Sequence, residues 1–505
     1  MPRRSPAHAA ARRGAVVLAL ALLVASDQAG AQTVGGASPA ATRPAADAWT
    51  PAGEAPAGFD RALAARRTRA HLEQLIRRNT ANPPGNELLV ARYLDSVLTR
   101  LPGVETRILE AAPGRANFVA RLRATRPTAR PVLVMGHMDV VGADTTKWET
   151  PPFEPTERGA YLHGRGAIDD KGMLAATVAA LEQLAAQRER LRRDVVLIGT
   201  AGEEGGPNVG IDWLRRTHPD VLQDVEFALN EGGRIRVADG RVRTVNVQTT
   251  EKVAYDVAVR ATGPSGHGSV PLPDNALAAL ARAVARIHAW KAPVLLNETT
   301  RLYFARLATI EADAAMRSAM QRISAAGADS ATVAAAAEVL SRDPLHNAVL
   351  RSGQSLTLLD GGIRTNVIPS EGTANFNVRV LPNDDVTRVV DAMRSVAAES
   401  GVTVTLDGEP EPAPPPSPVG SALFQAMERA ATAMAPGTVV VPFMSTGATD
   451  GAALREKGIP TYGILPMPLP MEDELRMHGD NERVPIRALG WAAEYLYRVL
   501  AEVAR

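Results

Sequence analysis

The sequence predicts an α/β protein, a mostly parallel sheet layered with helices and split along the chain by an inserted α+β module. Three observations carry that prediction. Up to about residue 251, short apolar runs alternate with amphipathic helical segments, the pattern of a parallel sheet with crossover helices. Near Lys252 the texture changes to long strands of alternating polarity. After the Pro-rich stretch Glu409–Pro418, which reads as a linker, the first texture returns.

Residues 1–31 carry Arg3, Arg4, Arg12 and Arg13, an apolar run over Ala15–Ala25 and the small-residue triplet Ala29-Gly30-Ala31. This is the layout of a secretory signal, and the run is shorter than the roughly 20 residues a membrane span needs. Residues 32–58 are poor in large apolar side chains and read as a disordered leader. The expectation is an exported protein, periplasmic or secreted, with no membrane segment once the signal is cleaved.

Residues 59–251 begin with helical pattern interrupted by the turn Asn82-Pro83-Pro84-Gly85. Strands follow over Val132–Met135, Val195–Gly199 and Phe227–Leu229, with helices over Met173–Gln187 and near Ile211–Arg216. Residues 252–410 read as strand (Ala254–Thr262), helix (Asn275–Trp290), strands (Ser355–Leu359 and Thr373–Leu381), helix (Asp385–Glu399) and strand (Val402–Leu406). That order is a small two-layer module, here with an Ala-rich helical insertion reaching about Leu350. Residues 411–505 supply a helix, strands over Thr438–Val441 and Thr461–Leu465, and a terminal helix over Ile486–Ala504.

Composition narrows the chemistry. Hydrophobic residues are 45% and charged residues 22% of the 505, enough to bury a large core. Lys and Arg number 56 against 55 Asp and Glu, so no net field favours nucleic acid or an anionic membrane. With no cysteine there is no disulfide, thiol nucleophile or thiolate metal site. Serine-hydrolase, zincin and nucleotide-loop motifs are also missing from the sequence.

What remains is a set of histidines and carboxylates. His137-Met138-Asp139 follows one strand, Asp169-Asp170 precedes a helix, Glu203-Glu204 follows a second strand and Glu231 a third. In an open α/β sheet these positions share one crevice. Acids crowded there repel one another and lose solvation, so cations must sit among them. Two neutral imidazoles and three carboxylates balance two divalent ions and one hydroxide. Nitrogen and oxygen ligands suit zinc, with manganese or cobalt as alternatives.

These pieces resemble the di-zinc metallopeptidase family of aminoacylase, acetylornithine deacetylase, succinyl-diaminopimelate desuccinylase and glutamate carboxypeptidase. The resemblance rests on His137-Met138-Asp139, the run Gly164 to Gly172, Glu203-Glu204-Gly205, Asn230-Glu231-Gly232 and His478 in a Met-His-Gly-Asp-Asn-Glu context. Trp148 and Pro151-Pro152-Phe153 resemble the carboxypeptidase and dipeptidase members.

The resemblance implies two zinc ions bridged by Asp169, with His137 and Glu231 completing one site and Glu204 and His478 the other. It implies that Asp139 orients His137, that Glu203 is the general base, and that the Asp169–Asp170 peptide is cis. In the inserted module, a lid, it implies that His267 reaches a partner subunit's site across a homodimer. Asn366, Arg379, Gly447 and Asp450 are implied to contact substrate. Plainer roles stay open for some of these, an ion pair for Arg379 and a helix cap for Asp450. The expected reaction is hydrolysis of an amide bond beside a free amino-acid carboxylate, in a small peptide or an N-acyl amino acid. Carboxypeptidase- or dipeptidase-like action leads; an N-acyl-amino-acid deacylase or a catalytically idle peptide-binding protein is the alternative.

Overall fold

A computed structural model describes residues 49–205 and 208–505. The signal (1–31) and the leader up to residue 48 lie outside the described residues. The last part of the expected disordered leader, residues 49–58, is instead laid on the body of the protein. Trp49 is the large apolar side chain of that stretch; it packs against the core and donates its indole N–H to the Pro468 carbonyl at 3.1 Å.

The large sheet has eight strands. In spatial order they are Val439–Ser445, Arg241–Glu251, Thr461–Pro470, Phe227–Ala238, Val132–His137, Val195–Thr200, Arg115–Leu122 and Val104–Ala112. Its middle is parallel, Val132–His137 pairing in that sense with both Val195–Thr200 and Phe227–Ala238. The strands Val132–His137 and Val195–Thr200 are buried along their whole length, which is why they read as continuous apolar runs rather than alternating ones. Two elements have no counterpart in the sequence reading: the antiparallel hairpin Val104–Leu122 at one edge, and Arg241–Glu251 near the other.

The helix Lys171–Ala185 was expected to show one apolar stripe, yet all of it except Glu182 is buried. It packs between the sheet and the helices Arg61–Ile76 and Ile486–Ala504, and its many alanines let three helices approach closely. On the opposite face Leu133, Met135, Val196 and Ile198 pack against Ile211, Leu214 and Leu454. The sheet is thus covered on both sides, leaving its strand ends as the crevice.

The inserted module is a four-stranded antiparallel sheet in the order Gly353–Gly361, Glu371–Val380, Val253–Thr262, Val402–Asp407. Helices Ala276–Ala289 and Val386–Ala397 bury its inner face through Val257, Val259, Phe376 and Val378. The helical insertion starts each of its four helices on an Asn or Asp side chain, Asn297, Asp313, Asp329 or Asp343, that accepts a backbone N–H of the first turn. These helices pack on Val441, Phe443 and Met444 and so cover the edge strand Val439–Ser445 of the large sheet. Phe304 is fully buried in that cluster. Phe304→Ala should lower the unfolding free energy by about 3–5 kcal/mol in denaturant titration.

Candidate metal centre

The strand ends gather the acids as the topology requires. His137 ends the strand Val132–His137, Asp169 precedes the helix Lys171–Ala185, and Glu203-Glu204 follow the strand Val195–Thr200. Glu231 lies inside Phe227–Ala238, a strand longer than its apolar run. His478 arrives from a turn ahead of the strand Arg483–Pro485 and adopts a left-handed φ of 61°.

The two oxygens of Asp169 face different imidazoles. His137 Nε2 lies 2.9 Å from Oδ1, and His478 Nε2 lies 3.2 Å from Oδ2 and 3.0 Å from Glu204 Oε1. His137, Asp169 and Glu204 bring their donor atoms within 4.8 Å of one another. Glu231 is buried, and burial with the neighbouring Asp169 charge pushes its carboxyl up to about 8. Glu203 is driven well above the usual carboxylate range by burial and by Glu231, Asp450 and Asp169, against the opposing pull of His137. Hydrogen bonds to Asp169 and Glu204 raise the His478 imidazole to about 10. Acids that raise one another and imidazoles held between carboxylates are a donor set short of positive charge, and divalent cations fit it. The Asp169–Asp170 peptide is cis, as the resemblance implies.

Asp139 contacts His137 mainly through its backbone rather than its side chain. The short contact to His137 Nδ1 comes from the Asp139 carbonyl, at 2.9 Å, with its carboxylate at 3.8 Å. That carbonyl makes Nδ1 the protonated nitrogen and leaves the Nε2 lone pair facing Asp169. The carboxylate of Asp139 instead accepts the backbone N–H groups of Glu203 at 3.2 Å and Glu204 at 3.1 Å, and the Asn82 amide at 2.9 Å. It therefore fixes the loop that carries both glutamates.

Sequence reasoning missed three supports. Glu482, fully buried, accepts the N–H groups of Gly166 (3.0 Å) and Ile168 (2.7 Å) and pairs with Arg165 at 2.8 Å. Arg165 also donates to the Gly479 carbonyl at 2.9 Å, tying the Asp169 turn to the His478 turn. The signal was present: Glu482 closes the His478-Gly-Asp-Asn-Glu run. Asn82 carried only a turn reading. Glu251 accepts from Thr449 N at 3.0 Å, Thr449 Oγ1 at 2.8 Å and Gln248 at 2.6 Å, and pairs with Arg455 at 2.7 Å.

Glu251 thereby holds the loop with Gly447 and Asp450. Gly447 donates its N–H to Ser445 Oγ at 3.1 Å. Asp450 makes no side-chain cap to its helix. Burial pushes its carboxyl up to about 6, with the His137 charge opposing.

The remaining residues sit on the inserted module. His267 and Asn366 are exposed and come together where Gly266–His267 pairs with Val367–Ile368 and Gly268 N–H donates to the Asn366 carbonyl at 2.8 Å. Among the described residues neither bonds to the Asp169 cluster. His267 Nδ1 accepts from the Ser269 N–H at 3.2 Å and contacts its hydroxyl at 2.7 Å, so Nε2 carries the proton. Arg379 lies on Glu371–Val380 and donates to Asn377 Oδ1 at 2.8 Å.

A covered parallel sheet with this ligand cluster at its strand ends is the framework of a metal-dependent hydrolase. The sequence model of peptidase family M20/M25/M40 matches residues 133–502, and the chain belongs to that family. Human N-fatty-acyl-amino acid synthase/hydrolase PM20D1 is 25% identical over 384 residues, 75% of each chain. The probable carboxypeptidase S-like 2 of Dictyostelium discoideum is 29% identical over 391 residues, 76% of this chain and 74% of that one. Among solved structures, the M20 family metallo-carboxypeptidase Sso-CP2 from Sulfolobus solfataricus superposes with a TM-score of 0.61 at 18% identity, covering 86% of this chain and 98% of that one.

Two measurements check the supports. Asp139→Ala should weaken metal affinity about 10–100-fold, read by competition with a chromogenic chelator. Glu482→Ala leaves the Arg165 guanidinium buried and unpaired, and should cost about 3–5 kcal/mol in denaturant unfolding.

Proposed function

We propose that the chain is an exported, dizinc-dependent hydrolase that cleaves an amide bond beside a free amino-acid carboxylate, acting on small peptides as a carboxypeptidase or dipeptidase. The observation that carries this reading is the division of the Asp169 carboxylate between His137 and His478, with Glu203 beside it and outside the ligand set. His137, Asp169 and Glu231 would hold one ion, and Glu204, Asp169 and His478 the other. When bound, the ions supply Lewis acidity toward the amide carbonyl and the attacking water.

The protein's own groups do the rest. Glu203 takes the proton of the attacking water and passes it to the departing amine nitrogen. His267 offers an Nε2–H donor to the developing oxyanion of a partner subunit's site in a homodimer built through the inserted module. Exposed Leu358 and Leu359 on the edge strand Gly353–Gly361 support such a contact. Gly447, Asp450, Asn366 and Arg379 shape the substrate site. The basic, apolar, small-residue order of residues 1–31 supports export.

An N-acyl amino acid as substrate is the second reading, favoured by the similarity to N-fatty-acyl-amino acid synthase/hydrolase. Paired libraries of dipeptides and N-acyl amino acids, turned over by zinc-loaded protein, separate the two. Glu203→Gln should keep its metal content and lose about 10²–10⁴ in kcat. Full activity in that variant would remove Glu203 as the base.

A further inference from the structure

The turn Asn82-Pro83-Pro84-Gly85 runs through Asn86 and Glu87 into the helix Leu88–Leu98. Glu87 stands at the start of that helix, yet its side chain makes no cap to it. The residue is fully buried, and its carboxylate is taken by Arg115 through two donors, Nε to Oε2 at 2.7 Å and Nη2 to Oε1 at 2.8 Å. The same Oε1 accepts the backbone N–H of Gly202 at 3.2 Å. A side chain at Gly85 would run into the Arg115 guanidinium, so the turn is packed directly on this pair.

Gly202 opens the loop that carries Glu203 and Glu204, turning the chain with a left-handed φ of 71°. Four successive N–H groups there find acceptors on three separate stretches of chain. Asn117 Oδ1 takes Ala201 at 3.0 Å, Glu87 takes Gly202, and the Asp139 carboxylate takes Glu203 and Glu204. The far end of the loop is held from the same turn, because the Asn82 amide donates to the Gly205 carbonyl as well as to Asp139. Backbone groups past a strand end have no ladder partner, and these side chains supply one.

We infer that Asn82–Glu87 is a clamp on this loop and that Glu87 is a positioning residue for Glu203, acting through the Gly202 N–H. The inference rests on the reading of Glu203 as the base. Bound ions anchor Glu204 through its side chain, whereas Glu203, outside the ligand set, depends on its backbone for its place. A displacement of about 1 Å in a reacting group costs on the order of 10²-fold in rate. The Arg115 pair neutralises the buried Glu87 charge and fixes the plane of its carboxylate.

The test compares Glu87→Met with Glu87→Gln in zinc-loaded protein. Met removes both acceptors, while Gln keeps the Oε1 that serves Gly202 and Arg115. Glu87→Met should keep its metal content and KM, lose about 10–10²-fold in kcat, and lose protection from hydrogen exchange across 201–205. Glu87→Gln should restore most of the rate and of the protection. Asn82→Ala frees the Gly205 end and serves, with the same readouts, if Glu87→Met does not fold.

A role in stability alone lowers the unfolding free energy of the variants and leaves kcat of the folded enzyme unchanged. That result overturns the positioning role, as does unchanged exchange in Glu87→Met or a Glu87→Gln no faster than Glu87→Met. Lost protection in Glu87→Met, in a protein whose Glu203→Gln variant stays fully active or that hydrolyses neither dipeptides nor N-acyl amino acids, supports the clamp on the loop while removing Glu203 as the base.

Discussion

The carboxylate of Asp169 lies between two imidazoles that come from opposite parts of the chain, one oxygen to each. A carboxylate used at both ends has no rotational freedom, and the fold is arranged around that constraint. The parallel middle of the sheet places His137 and Glu204 at neighbouring strand ends and Glu231 within the next strand. His478 comes from some three hundred residues further on, the separation of its contact with Asp169 being 309. No local preference could bring it there, so the molecule supplies a dedicated tie.

That tie is Arg165 with Glu482. Glu482 collects the N–H groups of the Asp169 turn while Arg165 reaches the carbonyl beside His478. Charge-assisted bonds in a buried setting are directional and stiff, which suits a turn that presents one carboxylate to two imidazoles. Asp139 serves the Glu203-Glu204 loop in the same way, and Glu251 serves the Gly447–Asp450 loop. Each support is a buried carboxylate that accepts backbone N–H groups, so each loop is held by its main chain and its side chains stay available for ligands.

The sequence made the sheet legible where burial is two-sided. Val132–His137 and Val195–Thr200 are unbroken apolar runs because helices cover both faces, and the ligands follow directly after them. The terminal helix Ile486–Ala504 has the bounds its periodicity predicts. The hairpin Val104–Leu122 was harder to see because one of its strands is only half-buried along its length. Lys171–Ala185 hides its all-round burial behind alanine, which is small enough to suit an amphipathic or a central helix equally. The candidate ligand residues stood out because their residue types and order resemble a known family. The supports were not: the bonds of Asn82 to Asp139 and of Glu482 to Ile168 join residues 57 and 314 apart, and a lone Asn or Glu carries no mark of such a partner. The same limit hid the carbonyl contact from Asp139, since residue type does not say whether side chain or backbone does the bonding.

Metal content of the purified protein and of Asp169→Ala, by mass spectrometry after zinc loading and desalting, tests the shared carboxylate most directly. The account predicts two zinc ions per chain in the wild type and loss of both together in Asp169→Ala, because each site loses the same ligand. A variant that keeps a full pair of ions, or a wild type that holds a single ion unaffected by the substitution, would contradict it.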